Sequence, residues 1–145
     1  IYDTLIKKFP KDYGLTYLRG NLNLYLQNYY DAILDFDFVI EKDEDTHAKY
    51  YLGRGKTYAC LSMFREAIND LSIALNIDKN VHDAYLCRGK CAYLIGDTSL
   101  AFMDFQKMIM LEPKNPNMHI YAGNLLMTTG SYEDATKAFT NADNL

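Results

Sequence analysis

The sequence lacks the features by which several classes of protein are recognised. No apolar stretch approaches the roughly 20 residues that a membrane-spanning helix needs, and the first ten residues do not resemble a secretory signal. Lysine and arginine form no cluster, and the net charge is -4 at pH 7, which argues against a protein that grips phosphate backbones. The sequence therefore predicts a soluble intracellular protein with neither nucleic acid nor membrane as its partner.

Elements of a disulfide-bonded, glycosylated or catalytic protein are also missing. The three cysteines (Cys60, Cys87 and Cys91) are an odd number, and no Asn-x-Ser/Thr acceptor occurs, so we expect a reducing compartment such as the cytoplasm. Cys87 and Cys91 lie four residues apart, but neither a histidine nor a third cysteine accompanies them at ligand spacing. No glycine-rich phosphate-binding loop occurs. We predict no metal, no cofactor and no catalytic residue, and therefore no enzyme.

What the sequence does contain is a repeat. Four glycines are separated by 35, 34 and 34 positions, and an alanine lies twelve residues after each of them. The glycines are Gly20, Gly55, Gly89 and Gly123, and the alanines are Ala32, Ala67, Ala101 and Ala135. Glycine inside a helix costs about 1 kcal/mol relative to alanine, so four at one phase of a helical pattern indicate a steric need for close helix contact.

This pattern resembles the tetratricopeptide repeat, a 34-residue helix-turn-helix with small residues at positions 8, 20 and 27. Numbering each repeat from Tyr13, Ala48, His82 and Pro116 places the glycine at position 8 and the alanine at position 20. The resemblance implies an all-α fold, a right-handed superhelical solenoid of antiparallel helix pairs in one array. The predicted divisions are 13–47 for repeat one, 48–81 for repeat two, 82–115 for repeat three and 116–145 for a truncated repeat four.

The same register predicts the helices and their first residues. First helices are expected at 13–26, 48–61, 82–95 and 116–129, and second helices at 29–42, 64–77, 98–111 and 132–143. Asn28, Asp97 and Ser131 stand where N-caps are expected, and Ser62 is expected to replace Met63 as the cap in repeat two. Position 27 departs from the small-residue pattern at Val39 and Met108, which predicts looser packing there.

Both ends of the sequence suggest a segment of a longer array. Tyr2, Leu5 and Pro10 fit positions 24, 27 and 32 of a preceding repeat, so residues 1–12 are expected to hold the tail of its second helix and a loop. No polar capping helix follows repeat four, although terminal repeats normally need one. We therefore expect further repeats of the same chain on both sides.

Charged residues recur at two positions of the repeat. Position 7 is arginine and position 23 is aspartate in the first three repeats, whereas the fourth has alanine at both. Because the two charges appear and disappear together, we predict ion pairs within each repeat. The predicted pairs are Arg19 with Asp35, Arg54 with Asp70, and Arg88 with Asp104. The alternative is that these residues are solvated surface groups.

The resemblance also implies where a partner would bind, because first helices line the concave groove of such arrays. Position 9 offers amide and ammonium donors, and position 5 offers apolar side chains. This chemistry suits an extended or helical partner segment with acidic or hydrogen-bond-accepting groups. The alternative is that these are ordinary polar residues on the helix surface, with no role in binding. The candidate groove residues are Tyr17, Asn21, Lys49, Leu52, Lys56, Leu86, Lys90, Tyr93, Ile120 and Asn124.

One function of the family can be tested directly on the sequence. Family members that clamp the acidic C-termini of heat-shock chaperones carry lysine, arginine and asparagine at five set positions of three successive repeats. The first three repeats here have Tyr17, Asn21, Gly53, Asp83 and Cys87 at those positions, and only Asn21 matches. A chaperone carboxylate clamp is therefore not expected within these residues.

Three functional hypotheses remain open at this point. The leading one is a scaffold or adaptor that binds another protein in the groove of the array. The second is a targeting or autoinhibitory module of a larger enzyme whose catalytic domain lies outside these residues. The third is a purely structural array whose ends stack on copies of itself.

Overall fold

The computed structural model describes residues 1–144, and the predicted end of repeat four at Leu145 lies outside them. The described residues form nine α-helices and no strand. In chain order the helices are α1 (Tyr2–Lys8), α2 (Tyr13–Tyr25), α3 (Tyr29–Lys42), α4 (Ala48–Cys60), α5 (Phe64–Ile77), α6 (His82–Leu94), α7 (Thr98–Leu111), α8 (Pro116–Thr128) and α9 (Tyr132–Asp143).

Helices α2 to α9 begin at the residues that the repeat register predicts. The first helices α2, α4, α6 and α8 each end one residue earlier than expected. In repeat two the reason is visible at Leu61, whose ψ of 5° departs from helical geometry and leads the chain into Ser62 with a φ of 59°. The turn thus takes one residue from the end of the first helix.

The chain divides into two compact units, Ile1–Val81 and His82–Leu145. The N-terminal unit holds α1 to α5, and the C-terminal unit holds α6 to α9. Inside each unit, a second helix packs against the first helix of its own repeat and against the first helix of the next. Helix packing within a unit therefore follows the order of the chain.

The core of each repeat lies between its two helices. All four alanines at position 20 are fully buried, and Phe36, Leu71 and Phe105 at position 24 are buried beside them. Val39 and Met108 at position 27 are also buried, at 0% and 2% exposure. The core thus accommodates both larger residues, and looser packing beside them stays a prediction.

The glycines at position 8 allow close contact with the second helix of the same repeat. A Cβ placed on Gly89 would lie 2.8 Å from Phe105 Cε1 and 3.1 Å from Asp104 Cβ. The corresponding Cβ on Gly55 would lie 2.9 Å from Leu71 Cγ. The nearest atoms at these two glycines thus belong to positions 23 and 24 of the same repeat.

The helix caps differ in part from those predicted. Asp97 is the N-cap of α7, and its side chain accepts a hydrogen bond from the Leu100 amide. Asn28 and Ser131 occupy the N-cap positions of α3 and α9 but make no side-chain cap hydrogen bond. The prediction for Ser62 is wrong: Met63 is the N-cap of α5, because Ser62 adopts a left-handed conformation one residue earlier.

Candidate partner-binding surfaces

The predicted arginine and aspartate residues meet between the two helices of each of the first three repeats. In repeat two, Arg54 Nε donates to Asp70 Oδ2 at 2.7 Å and Arg54 Nη2 donates to Asp70 Oδ1 at 2.9 Å. The Asp70 side chain is almost fully buried. This two-point contact fits the planar guanidinium to the carboxylate, so Arg54 orients the core of the repeat and is unavailable to a partner.

Arginine at position 7 also reaches into the preceding repeat. Arg54 Nη1 donates to Asp37 Oδ1 at 2.6 Å, and Arg19 Nη1 donates to Asp3 Oδ1 at 2.5 Å. Both aspartates stand at position 25 by the repeat numbering, which the sequence analysis did not single out. The signal was available, because Asp3 and Asp37 recur one repeat apart. Arginine at position 7 therefore links neighbouring repeats as well as the two helices of one.

The other two predicted pairs have the same geometry. Arg19 Nη2 lies 2.5 Å from Asp35 Oδ1, and the Asn23 amide donates to Asp35 Oδ2. Arg88 donates through Nε and Nη2 to the two oxygens of Asp104, at 2.9 and 2.8 Å. Burial raises the pKa of the Asp104 carboxyl, and the hydrogen bonds from Arg88 oppose that rise.

In the N-terminal unit, the candidate groove residues Tyr17 and Lys49 come together. Lys49 Nζ lies 5.1 Å from the centroid of the Tyr17 ring and 5.2 Å from that of Tyr50. Tyr17 and Tyr50 are themselves 5.5 Å apart between ring centroids. The ammonium therefore covers the aromatic surface that the sequence suggested as an open groove floor.

Two side-chain hydrogen bonds limit which donors this part of the N-terminal unit can present to a partner. Asn21 donates its side-chain amide to the Tyr17 carbonyl at 3.0 Å, so one of its two amide hydrogens is already used. Tyr50 donates its hydroxyl to Asp43 Oδ2 at 2.6 Å, which lowers the pKa of Asp43. Burial, followed by this hydrogen bond, raises the pKa of Tyr50, so its phenol stays protonated at neutral pH. Leu52 and Lys56 are half-buried on α4.

The C-terminal unit contains a cavity of about 230 Å³ between α6, α7 and α8. Its lining residues are Lys90, Tyr93, Leu94, Phe105, Tyr121 and Asn124. The rings of Phe105 and Tyr121 stack at 5.4 Å between centroids, and Lys90 Nζ lies 4.7 Å from the Tyr121 centroid. An aromatic wall, an ammonium and an amide thus surround one apolar space.

The N-terminal unit contains a separate polar depression of about 360 Å³ beside Arg19 and Asp35. The depression is lined mainly by groups that already pair with one another, whereas the lining of the cavity is mostly apolar. The cavity is therefore the better candidate for a binding site.

The cavity depends on the residue at position 6 of the following repeat. Repeat four has Tyr121 there, and its ring stands against Phe105. Repeat two has Gly53, and a Cβ placed on it would lie only 2.5 Å from Phe36 Cε1. Phe36 therefore fills the space beside α4, so repeats with the same register do not present the same surface.

The structure brings together only some of the ten candidate groove residues. Lys90, Tyr93 and Asn124 line the cavity, and Tyr17 meets Lys49. Leu86 is half-buried and Ile120 is exposed on the same two first helices, but neither lines the cavity. Sequence reasoning missed Leu94, Phe105 and Tyr121, because their contacts depend on side-chain size in two neighbouring repeats.

Two aspartates and a histidine lie close together before α4. Among residues 1–144, Asp43, Asp45 and His47 place ligand atoms within 4.8 Å of one another in the loop before α4. Exposed acidic groups often lie this close without an ion, and Asp43 already accepts the Tyr50 hydroxyl. Of the three cysteines, Cys60 is exposed, Cys87 is half-buried and Cys91 is buried. In the described part of the chain, no helix is both long enough and apolar enough to cross a membrane.

Sequences and structures similar to this chain occur among known proteins. No family model matches the chain. Tetratricopeptide repeat protein 16 of Homo sapiens is 27% identical over 150 residues, which cover 96% of this chain and 17% of that protein. DnaJ homolog subfamily C member 7 of Mus musculus is 31% identical over 88 residues, covering 61% of this chain and 16% of that protein. The chain thus spans about a sixth of the length of these relatives.

Solved structures show the same fold. MamA matches with a TM-score of 0.92 at 22% identity, covering 99% of this chain and 83% of that one. YrrB, described as a TPR protein with an unusual peptide-binding site, matches with a TM-score of 0.88 at 20% identity, covering 99% of this chain and 73% of that one. The repeat register, the helix pairs and these similarities together show that the chain has the all-α solenoid fold of tetratricopeptide-repeat proteins.

Proposed function

We propose that this chain is part of a scaffold or adaptor and binds a segment of another protein through the exposed faces of its first helices. The observation that carries the proposal is the cavity of the C-terminal unit, where Lys90 and Asn124 border an aromatic and aliphatic space. Apolar surface with a few placed polar groups is the usual composition of a site that binds a ligand or peptide.

The chemistry of the first helices supports a partner segment with acidic or hydrogen-bond-accepting groups. Lys49 and Lys90 are exposed, and Asn124 is an exposed amide on α8. Ammonium and amide groups donate hydrogen bonds to carboxylates and peptide carbonyls. The structural similarity to YrrB, whose description includes a peptide-binding site, agrees with this proposal.

The test compares partner capture by the chain and by a Lys56→Glu, Lys90→Glu double variant. Proximity labelling in cells, followed by pulldown with purified protein, would identify the partners of each. If the exposed faces of the first helices bind acidic segments, the double variant should capture about tenfold less of each specific partner, or less still. The reason is that the introduced glutamates would repel the acidic groups of the partner.

A matched control separates this effect from a change in net charge. Lys79 lies in the turn after α5, and Lys107 lies on the second helix α7. The Lys79→Glu, Lys107→Glu double variant changes the net charge equally and should retain the partners. Equal retention by both double variants, with both folded by circular dichroism, would contradict binding through the first helices.

A further inference from the structure

The cavity of the C-terminal unit has the size of a site for one side chain. Its volume of ≈ 230 Å³ exceeds the roughly 150 Å³ that holds a benzene molecule in a dry protein cavity. Tyr93, Leu94, Phe105 and Tyr121 supply most of its lining. A space of this size and composition suits one large apolar side chain, such as leucine or methionine, better than a polar group.

The border of the cavity carries a positive charge. Lys90 is exposed, and its Nζ lies 4.7 Å from the Tyr121 ring centroid. Within residues 1–144, no carboxylate forms an ion pair with this ammonium at 4.0 Å or less. A carboxylate placed beside the cavity would therefore meet an ammonium already oriented by an aromatic ring.

We infer that the cavity binds a partner segment in which a leucine-sized apolar side chain stands next to an acidic group. The apolar side chain fills the space between Leu94, Phe105 and Tyr121, and the carboxylate pairs with Lys90 Nζ. Asn124 lies on the cavity lining, where its amide can donate to a peptide carbonyl. The inference rests on the proposed function and specifies the chemistry of the partner at this one site.

The N-terminal unit offers an internal comparison. Lys56 stands at position 9 of repeat two, as Lys90 does in repeat three. Beside α4, however, Phe36 occupies the space next to Gly53, and Tyr17 is covered by Lys49. The arrangement at Lys90 is therefore not repeated beside α4, although both positions carry a lysine.

Small probes test the inference on the whole chain without knowledge of the partner. N-acetylleucine carries the isobutyl side chain and an adjacent carboxylate, and N-acetylleucinamide carries the same side chain without the charge. In a nitrogen-15 NMR titration, both should shift the amides of Leu94, Tyr121 and Asn124, with dissociation constants on the order of millimolar. The acid should bind about three- to fivefold more tightly than the amide.

Two variants make the test specific. Lys90→Met keeps the length of the side chain but removes its charge, so it should reduce the affinity for the acid to that for the amide. Lys79→Met removes a lysine charge outside the first helices, so it is the control and should leave both affinities unchanged. Equal affinities of acid and amide for the unmodified chain, or shifts centred away from the cavity, would overturn the inference.

The two proposals can fail separately. If the probes do not bind the cavity while the Lys56→Glu, Lys90→Glu variant still loses its partners, the anchor site is wrong and binding through the first helices stands. If the probes bind as described but the double variant keeps all its partners, the anchor chemistry is supported and the proposed function is wrong.

Discussion

One residue in the turn between the two helices has a positive φ in every repeat. It is Gln27, Ser62, Gly96 or Gly130, with φ values of 63°, 59°, 81° and 79°. Glycine adopts this left-handed conformation without steric cost, whereas other residues place Cβ too close to the following carbonyl. The first two repeats therefore carry a local strain that the last two avoid.

Replacing Ser62 with glycine should relieve that strain. We expect Ser62→Gly to raise the free energy of unfolding by about 0.5 to 1 kcal/mol. This value is the steric penalty of the left-handed conformation, reduced by the greater conformational entropy that glycine has in the unfolded chain. Urea denaturation followed by circular dichroism measures the change. The reverse substitution Gly130→Ser is the control and should lower the free energy of unfolding by a similar amount. A destabilising Ser62→Gly would contradict the explanation.

The pair of Arg88 and Asp104 predicts a second effect at the scale of residues. Arg88→Met leaves a buried carboxylate without these hydrogen bonds, so we expect a loss of about 3 to 5 kcal/mol in the free energy of unfolding near pH 7. The Arg88→Met, Asp104→Leu double variant removes the buried charge as well, and should recover most of that loss. Urea denaturation of the three proteins at one pH tests this.

The loss of stability in the Arg88→Met variant should depend on pH. Burial already raises the pKa of Asp104, and without the opposing hydrogen bonds the pKa rises further. A carboxyl whose pKa is higher in the folded than in the unfolded state favours folding when protonated, so its contribution is lost as pH rises through the folded-state pKa. The variant should therefore be closest to the parent protein in stability at low pH. A difference in the free energy of unfolding between variant and parent that grows as pH falls would contradict this expectation.

At the scale of elements, close helix contact at position 8 gives a further prediction. Gly89→Ala gains up to about 1 kcal/mol of helix propensity but places a Cβ 2.8 Å from Phe105 and 3.1 Å from Asp104 Cβ. Overpacking of this kind costs about 1 to 3 kcal/mol, so we expect a net loss of about 1 kcal/mol. Thermal and urea unfolding measure it.

Gly14→Ala is the matched control for this substitution. Its Cβ would meet only the Asp12 carboxylate, at 3.0 Å, and that side chain can move away. Alanine at this position should leave stability unchanged or raise it slightly. If both substitutions stabilise the protein equally, contact at position 8 is not the reason for the glycine.

Much of the element order could be predicted because the repeat fixes the register. Eight helices begin where the spacing of Gly20, Gly55, Gly89 and Gly123 places them. Caps were harder to predict, since residue type alone does not decide whether Ser131 makes its hydrogen bond. The cavity could not be predicted from register, because it depends on whether position 6 carries Tyr121 or Gly53 beside a phenylalanine.

At the scale of the whole molecule, packing inside each unit is local in sequence. Helices pack against helices that follow them directly or after one more helix. Local contacts require little loop closure before they form, so we expect the main folding phase within milliseconds to tens of milliseconds. Stopped-flow dilution from urea, followed by tyrosine fluorescence, measures the rate. A main phase slower than about one second would contradict folding through local helix pairs.

The double contacts of Arg54 matter for anyone who recombines such repeats. Its guanidinium binds Asp70 in its own repeat and Asp37 in the one before, so the interacting group straddles the sequence boundary near residue 47. A cassette cut at that boundary would separate the arginine from one of its two acceptors. A module that keeps both contacts must instead run from the second helix of one repeat through both helices of the next, so that Asp37, Arg54 and Asp70 stay in the same piece.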